Sequence, residues 1–393
     1  MVEMGHVIRQ VTCGGLHTAV VTEEGKVFTW GDGRRGELGH IHDPSLKQTP
    51  RMVEMLDHVF VTSVACGGSH TVAITDSGQL YSWGWSRYGQ TGHGERANVK
   101  FPKRIDHPLV KDIVQVACGS KHTMAITRSG TVIAFGANRH GQCGLSDFED
   151  RLEPNRIESL RDTPISYVSC GAIHSCLVTT TGDVYICGFG EYFIPDESQH
   201  FFPEPRRVQL PEAIRSISCG QAHNLALSVN NNVYAFGSGE FGSLGYGVKA
   251  NSATPRLVLD TKNIRQVAAG RYHSFALTDS GILYSWGCGE NGQLLNNSRS
   301  RTEIKLIFKF QSPTNLVSLL FCLFFLPLSP CCRSIGSQLR RECAPSDGCD
   351  SNSWYGRRSS CVWRTSHRHI DIGAMDETVG RRARVATRGE GRT

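Results

Sequence analysis

The sequence predicts an all-β fold, a β-propeller of four-stranded blades followed by a poorly structured tail. Three observations predict it. The first is a segment that recurs six times, centred on His17, His70, His122, His174, His223 and His273, at intervals of 53, 52, 52, 49 and 50 residues. A fixed period of that size marks a repeat architecture in which no unit buries its apolar face alone. The second is that each repeat contains enough short β-patterned runs for four strands. The third is that no run in the repeated region needs a helix of ordinary length.

The second repeat shows how each element arises. Cys66-Gly67-Gly68-Ser69-His70 leads into Thr71-Val72-Ala73-Ile74-Thr75, a β-branched and apolar run suited to a buried strand. Asp76-Ser77-Gly78 is a turn, and its glycine takes φ > 0 without steric cost. Gln79 to Gly84 then alternates polar and apolar residues, as a strand does. In the fifth repeat the turn glycine becomes Asn231, the residue that next best tolerates the left-handed region. Glycine-rich connections follow the hairpins, such as Gly89-Gln90-Thr91-Gly92 and Gly141-Gln142-Cys143-Gly144. Proline then opens a further short strand, as at Pro102-Lys103-Arg104-Ile105, where its missing N–H need not join a ladder. A last strand precedes each cysteine, as in Ile113-Val114-Gln115-Val116-Ala117. Four antiparallel strands per unit make a propeller blade. The repeats run over about 1–45, 46–97, 98–149, 150–201, 202–250 and 251–297.

This punctuation (Cys-Gly-x-x-His, Trp-Gly, Gly-Gln-Leu-Gly) resembles the regulator of chromosome condensation family over residues 1–297. The resemblance implies a ring that usually has seven blades, so six of an expected seven are recognisable. The fourth repeat is degenerate, with Cys187-Gly188 where the second has Trp83-Gly84. A light-sensing branch of the family stacks Trp and Arg just before the histidine. Here those slots hold Gly15, Gly68, Ser120, Ala172, Gln221 and Arg271, none of them Trp, which argues against photoreception.

The pattern stops at Leu295. Beyond it lie 16 of the 42 Lys+Arg and 8 of the 36 Asp+Glu, which leaves the repeats with 26 basic and 28 acidic residues. The overall positive charge therefore belongs to the tail, and binding to nucleic acid or chromatin is not expected of the propeller. The apolar run Leu316–Leu328 is too short to cross a bilayer and contains Pro327, so no membrane anchor is expected. In the segment 298–393, Trp363 has the single codon TGG and Arg364 commonly begins with C, so the shifted frame reads glycine there. Extended across Ser360 to Arg368, that frame permits Ala-Cys-Gly-x-x-His-Thr. The tail thus reads as a retained intron followed by a frame-shifted exon that encodes the seventh blade.

Five of the 15 cysteines share one repeat slot (Cys13, Cys66, Cys118, Cys170, Cys219), and the sixth repeat has Ala269 there. A slot that accepts Cys or Ala calls for a small buried group, not a bridge. With no signal peptide at Met1-Val2-Glu3-Met4, this points to the reducing cytoplasm or nucleus.

The histidines, one per blade, should not gather around a metal, and no metal or cofactor is expected. Each imidazole is expected to hydrogen-bond within its own blade as a structural pin. No singular catalytic constellation stands out. Gly31-Asp32-Gly33-Arg34-Arg35-Gly36 has dinucleotide-fingerprint spacing but opens no helix, so it reads as a loop, and no small-molecule substrate is expected.

What differs between repeats is more informative. The third residue after each Trp-Gly equivalent is Arg34, Arg87, Arg139, then Glu191, Glu240, Glu290. Nearby slots add Arg35, Trp85, Tyr88, His140 and Phe241. Loops on a rigid ring are where partners bind, and a split field orients a protein ligand. The sequence leaves open a solvated loop set whose charges serve solubility. The resemblance implies a non-catalytic scaffold that engages a protein, a small GTPase or a ubiquitin-pathway factor. It also carries an alternative, guanine-nucleotide exchange on a small Ran-like GTPase. The even repeat spacing leaves no room for the wedge-like insertion of the family's exchange factor, which favours the scaffold.

Overall fold

A computed structural model of the chain describes residues 5–40, 49–190, 200–259, 263–290, 292–294, 304–309, 361–365 and 368–372. It contains six four-stranded sheets, each a meander in chain order, arranged as the blades of a propeller ring. In the second blade the strands are Val61–Cys66, His70–Thr75, Leu80–Gly84 and Val99–Arg104, all antiparallel. The first lies nearest the axis, because its Cys-Gly end lines the central cavity together with its counterparts in the other blades.

Strand pairing puts the blades out of phase with the sequence repeats. The short strand that begins near proline closes the preceding blade: Phe28 pairs with Met52, and Ser82 with Lys103. The closing strand of the first blade, Arg51–Met52, therefore lies in the second sequence repeat. In the sixth blade the closing strand is Lys305–Lys309, whose Lys309 pairs with Ile282. A strand of the sixth blade thus lies within the segment 298–393. Leu306-Ile307-Phe308 is β-prone, and the exposed edge of Ile282–Gly287 offers it a ladder.

The turns follow the expected chemistry, with Gly78 at φ +73° and Asn231 at φ +66°. The apolar cores lie between blades. One joins Ala19, Val21 and Val27 of the first blade to Val61, Val64 and Trp83 of the second. Such seams are why a blade does not stand alone. Trp83 is fully buried, and its Nε1 donates to Glu37 O in the preceding blade at 2.9 Å. In the degenerate fourth blade Cys187 Sγ lies 3.5 Å from Gln142 O, so a thiol occupies the indole's place as donor.

Residues 337–393 form a separate unit. Within it Cys361–Thr365 and Arg368–Ile372 pair as an antiparallel hairpin. The apolar run 316–328 lies outside the described residues, as does most of the segment read as a frame-shifted exon. Among the described residues no helix is long and apolar enough to cross a membrane.

Candidate partner-binding face

The histidines work across seams, which corrects the expectation that each pins its own blade. His17 Nε2 lies 2.9 Å from Thr71 Oγ1, His70 Nε2 3.0 Å from Thr123 Oγ1, His122 Nε2 2.8 Å from Ser175 Oγ and His223 Nε2 3.0 Å from Ser274 Oγ. In each case the partner sits in the next blade. The hydroxyl then donates to a backbone carbonyl of the glycine-rich loop in the histidine's own blade: Thr71 to Glu37 O, Thr123 to Gln90 O, Ser175 to Gln142 O, Ser274 to Ser243 O. Because the hydroxyl donates onward, it accepts from Nε2–H, so in the neutral imidazole the proton sits on Nε2. Burial keeps the ring neutral, lowering His17 to about 4 and His70, His122 and His223 to about 3. The physical reason for the correction is reach: the strand that begins with histidine faces the neighbouring blade.

The Cys-Gly-x-x-His motif has a steric basis. A Cβ on Gly67 would lie 2.1 Å from His70 Cε1, so the imidazole needs a bare Cα beneath it. The next residue stitches the seam again, with Gly15 N donating to Gly67 O and Gly68 N to Gly119 O. These loops ring an axial cavity of about 300 Å³ lined from all six blades.

The loop after each third strand is tied to the same end, since Trp85 N donates to Ser69 O and Ala137 N to Lys121 O. The loop bearing the arginines therefore borders the cavity mouth. Its conformation is set locally: Arg35 N, Tyr88 N and His140 N donate to the side chains of Glu37, Gln90 and Gln142.

Of the residues singled out from sequence, four form a continuous group over blades one to three, with His140 next to its last member. The Arg35 guanidinium stacks on Trp85 at 4.4 Å and its Nη1 donates to Ser69 Oγ. Trp85 meets Tyr88 edge-on at 5.5 Å, and Arg139 lies 5.7 Å from the Tyr88 ring. His140 is beside Phe201 at 5.2 Å. Sequence reasoning missed Lys121, whose ammonium lies 5.0 Å from Tyr88 and 5.9 Å from Trp85. It sits just before His122, and the signal was there: the equivalent slot in other repeats holds Leu16, Ser69, Ile173, Ala222 and Tyr272.

The split field is weaker than the sequence suggests. Arg34 is ion-paired with Asp32 at 2.6 Å, and Arg139 and Arg96 both approach Asp150. Arg87 is exposed, as are Glu240 and Glu290, while Glu191 lies outside the described residues. On the far side Phe241 packs on Tyr272 at 4.3 Å, with Arg271 over the same ring.

A family model for the RCC1-like domain matches residues 1–322. The chain belongs to that family. Among solved structures, human WBSCR16 superposes with a TM-score of 0.71 at 23% identity, covering 78% of this chain and 83% of that one. Prp20p of Saccharomyces cerevisiae gives 0.67 at 25% identity, covering 78% and 77%. Among curated relatives, the ultraviolet-B receptor UVR8 of Arabidopsis thaliana is 36% identical over 185 residues, 47% of this chain and 42% of that protein. The human E3 ubiquitin-protein ligase HERC2 is 38% identical over 192 residues, 48% of this chain and 4% of that protein. The chain thus spans under half of either relative. RCC1-like membership accounts for the repeat, the blades and the histidine seams, but not for the residues on the loop face, which differ from one blade to the next.

Proposed function

We propose that this chain is a non-catalytic RCC1-like scaffold that holds a protein partner on the loop face around the cavity mouth. One observation carries the reading: the stack Arg35–Trp85–Tyr88 with Lys121 and Arg139, its aromatic rings half-buried under exposed cations and spread over three consecutive blades. Trp, Tyr and Arg on a preorganised surface are the residue types that dominate binding energy at protein interfaces. Cation–π pairs hold the guanidinium and aromatic planes in place, so little side-chain entropy remains to be lost on binding.

A partner with an acidic rim fits the cations. A small GTPase is one class, supported by the likeness to Prp20p, a protein with characterised binding properties to Gsp1p and histones. A ubiquitin-pathway factor is the other, supported by the likeness to HERC2. The setting is the reducing cytoplasm or nucleus, consistent with nine described cysteines that are all free thiols.

The test is capture of a panel of purified small GTPases by the full chain, with nucleotide release followed in parallel. Trp85→Ala with Tyr88→Ala should weaken capture at least ~10-fold, the scale of a modest hot spot. Capture unchanged in the double variant would remove the proposal, and accelerated nucleotide release would move it to exchange.

A further inference from the structure

The seam between the fourth and fifth blades departs from the others at two positions that touch. Residue two after the histidine is apolar elsewhere (Ala19, Val72, Met124, Leu225, Phe275), but here it is Cys176. The partner in the next blade is a hydroxyl at four seams, but here it is Asn224. Asn224 Oδ1 only accepts, and it lies 3.0 Å from His174 Nε2 and 3.5 Å from Cys176 Sγ. Cys219, which ends the inner strand of the fifth blade, completes the group. The donor atoms of His174, Cys176 and Cys219 all lie within 4.8 Å of one another, and all three residues are buried.

We propose that His174, Cys176 and Cys219 bind one thiophilic d¹⁰ metal ion, Zn(II) with Asn224 Oδ1 as fourth ligand or Cu(I) without it. His174 and Cys176 are two apart on the strand His174–Thr179, so both side chains leave the same face. Cys219 approaches from the facing blade, so the ion would cross-link the seam. Bonds of roughly 2.0–2.3 Å at the tetrahedral angle need donors about 3.3–3.8 Å apart, so donors within 4.8 Å of one another need to close by at most about 1.5 Å. One imidazole and two thiols suit a borderline-soft cation and exclude Mg(II) or Ca(II). Cys219 also lines the axial cavity, which is the side nearest to the cluster from which an ion would enter.

The repeat itself supplies variants that fold. Alanine occupies the slot of Cys176 in the first blade (Ala19) and the slot of Cys219 in the sixth (Ala269). The full chain is prepared reduced and metal-free, then titrated with Zn(II) against a chromogenic chelator and with Cu(I) against a copper(I) chelator. One equivalent of either ion should bind and raise the melting temperature. Cys176→Ala and Cys219→Ala should each weaken binding at least ~100-fold, while Cys118→Ala, the same slot at another seam, leaves it unchanged. Asn224→Ser should weaken Zn(II) and spare Cu(I). The proposal is overturned if neither ion binds stoichiometrically, if binding survives Cys176→Ala, or if intact mass after isolation without reductant shows the two thiols joined as a disulfide.

Discussion

At the seam between the third and fourth blades, His122 Nε2 meets Ser175 Oγ, which passes the bond on to Gln142 O. Beside them lies Met124, fully buried. One seam further, His174 meets Asn224, and Cys176 takes the place of Met124. The glycine beneath the imidazole is the same in both, Gly119 under His122 and Gly171 under His174. Geometry therefore holds the histidine and its glycine fixed, while the two side chains beside them are free to vary in chemistry. A fastener becomes a donor cluster by two replacements, with no change in backbone.

The thiols share this contrast. Burial pushes Cys66, Cys118, Cys170 and Cys187 up, so they are inert as nucleophiles. Burial also raises Cys219, but hydrogen bonds with Cys176 and His174 outweigh it and draw this thiol down. Burial raises Cys176.

Acid should break the ordinary seams hardest. His17, His70, His122 and His223 are held below the unfolded value of 6.5, at about 3 to 4. Their stabilisation is present above 6.5 and is lost as pH falls, because the unfolded chain takes up the proton first. Going from pH 7 to pH 5 costs roughly 2 kcal/mol per histidine. Urea midpoints measured across that range should fall steeply, and a flat profile would mean the imidazoles are not held neutral.

Next in size is His70→Ala, which removes a buried imidazole and the bond that Thr123 Oγ1 accepts from it. A loss of about 3 kcal/mol is expected from equilibrium denaturation. The metal-free His174→Ala chain should lose a similar amount if the two seams are mechanically equal, and a larger loss would make the fourth the stronger one. Gly67→Ala should cost about 2 kcal/mol by driving a methyl into His70 and towards Gly119 O, 2.6 Å from the added Cβ. Smallest is Arg139→Ala on the exposed face, within about 0.5 kcal/mol in stability whatever it does to partner capture.

Much of this was legible from residue order. The period, the Trp-Gly and Cys-Gly-x-x-His punctuation and the Asn231 turn all report local backbone demands, and local demands repeat. Arg35, Trp85, Tyr88, Arg139 and His140 were legible as a set because all lie within four residues after a Trp-Gly equivalent, with Arg35, Tyr88 and His140 at the same offset. Lys121 was not, since it comes from a different loop that only cross-strand hydrogen bonding brings alongside. Nor could the sequence say that Arg34 is spent on Asp32, two residues away, while its neighbour Arg35 reaches Trp85 in the next blade.

By itself the sequence determined the unit: four strands, their turns and one buried histidine per repeat, because these rest on spacing within about 50 residues of chain. The tertiary structure decided what each histidine touches, which strand closes which blade, and that Cys176 and Cys219, 43 positions apart, share a seam with His174. The physical reason is that a blade's second strand packs outward against its neighbour. Side chains that carry chemistry are therefore completed by residues from the next repeat, which a reading of any single repeat does not contain.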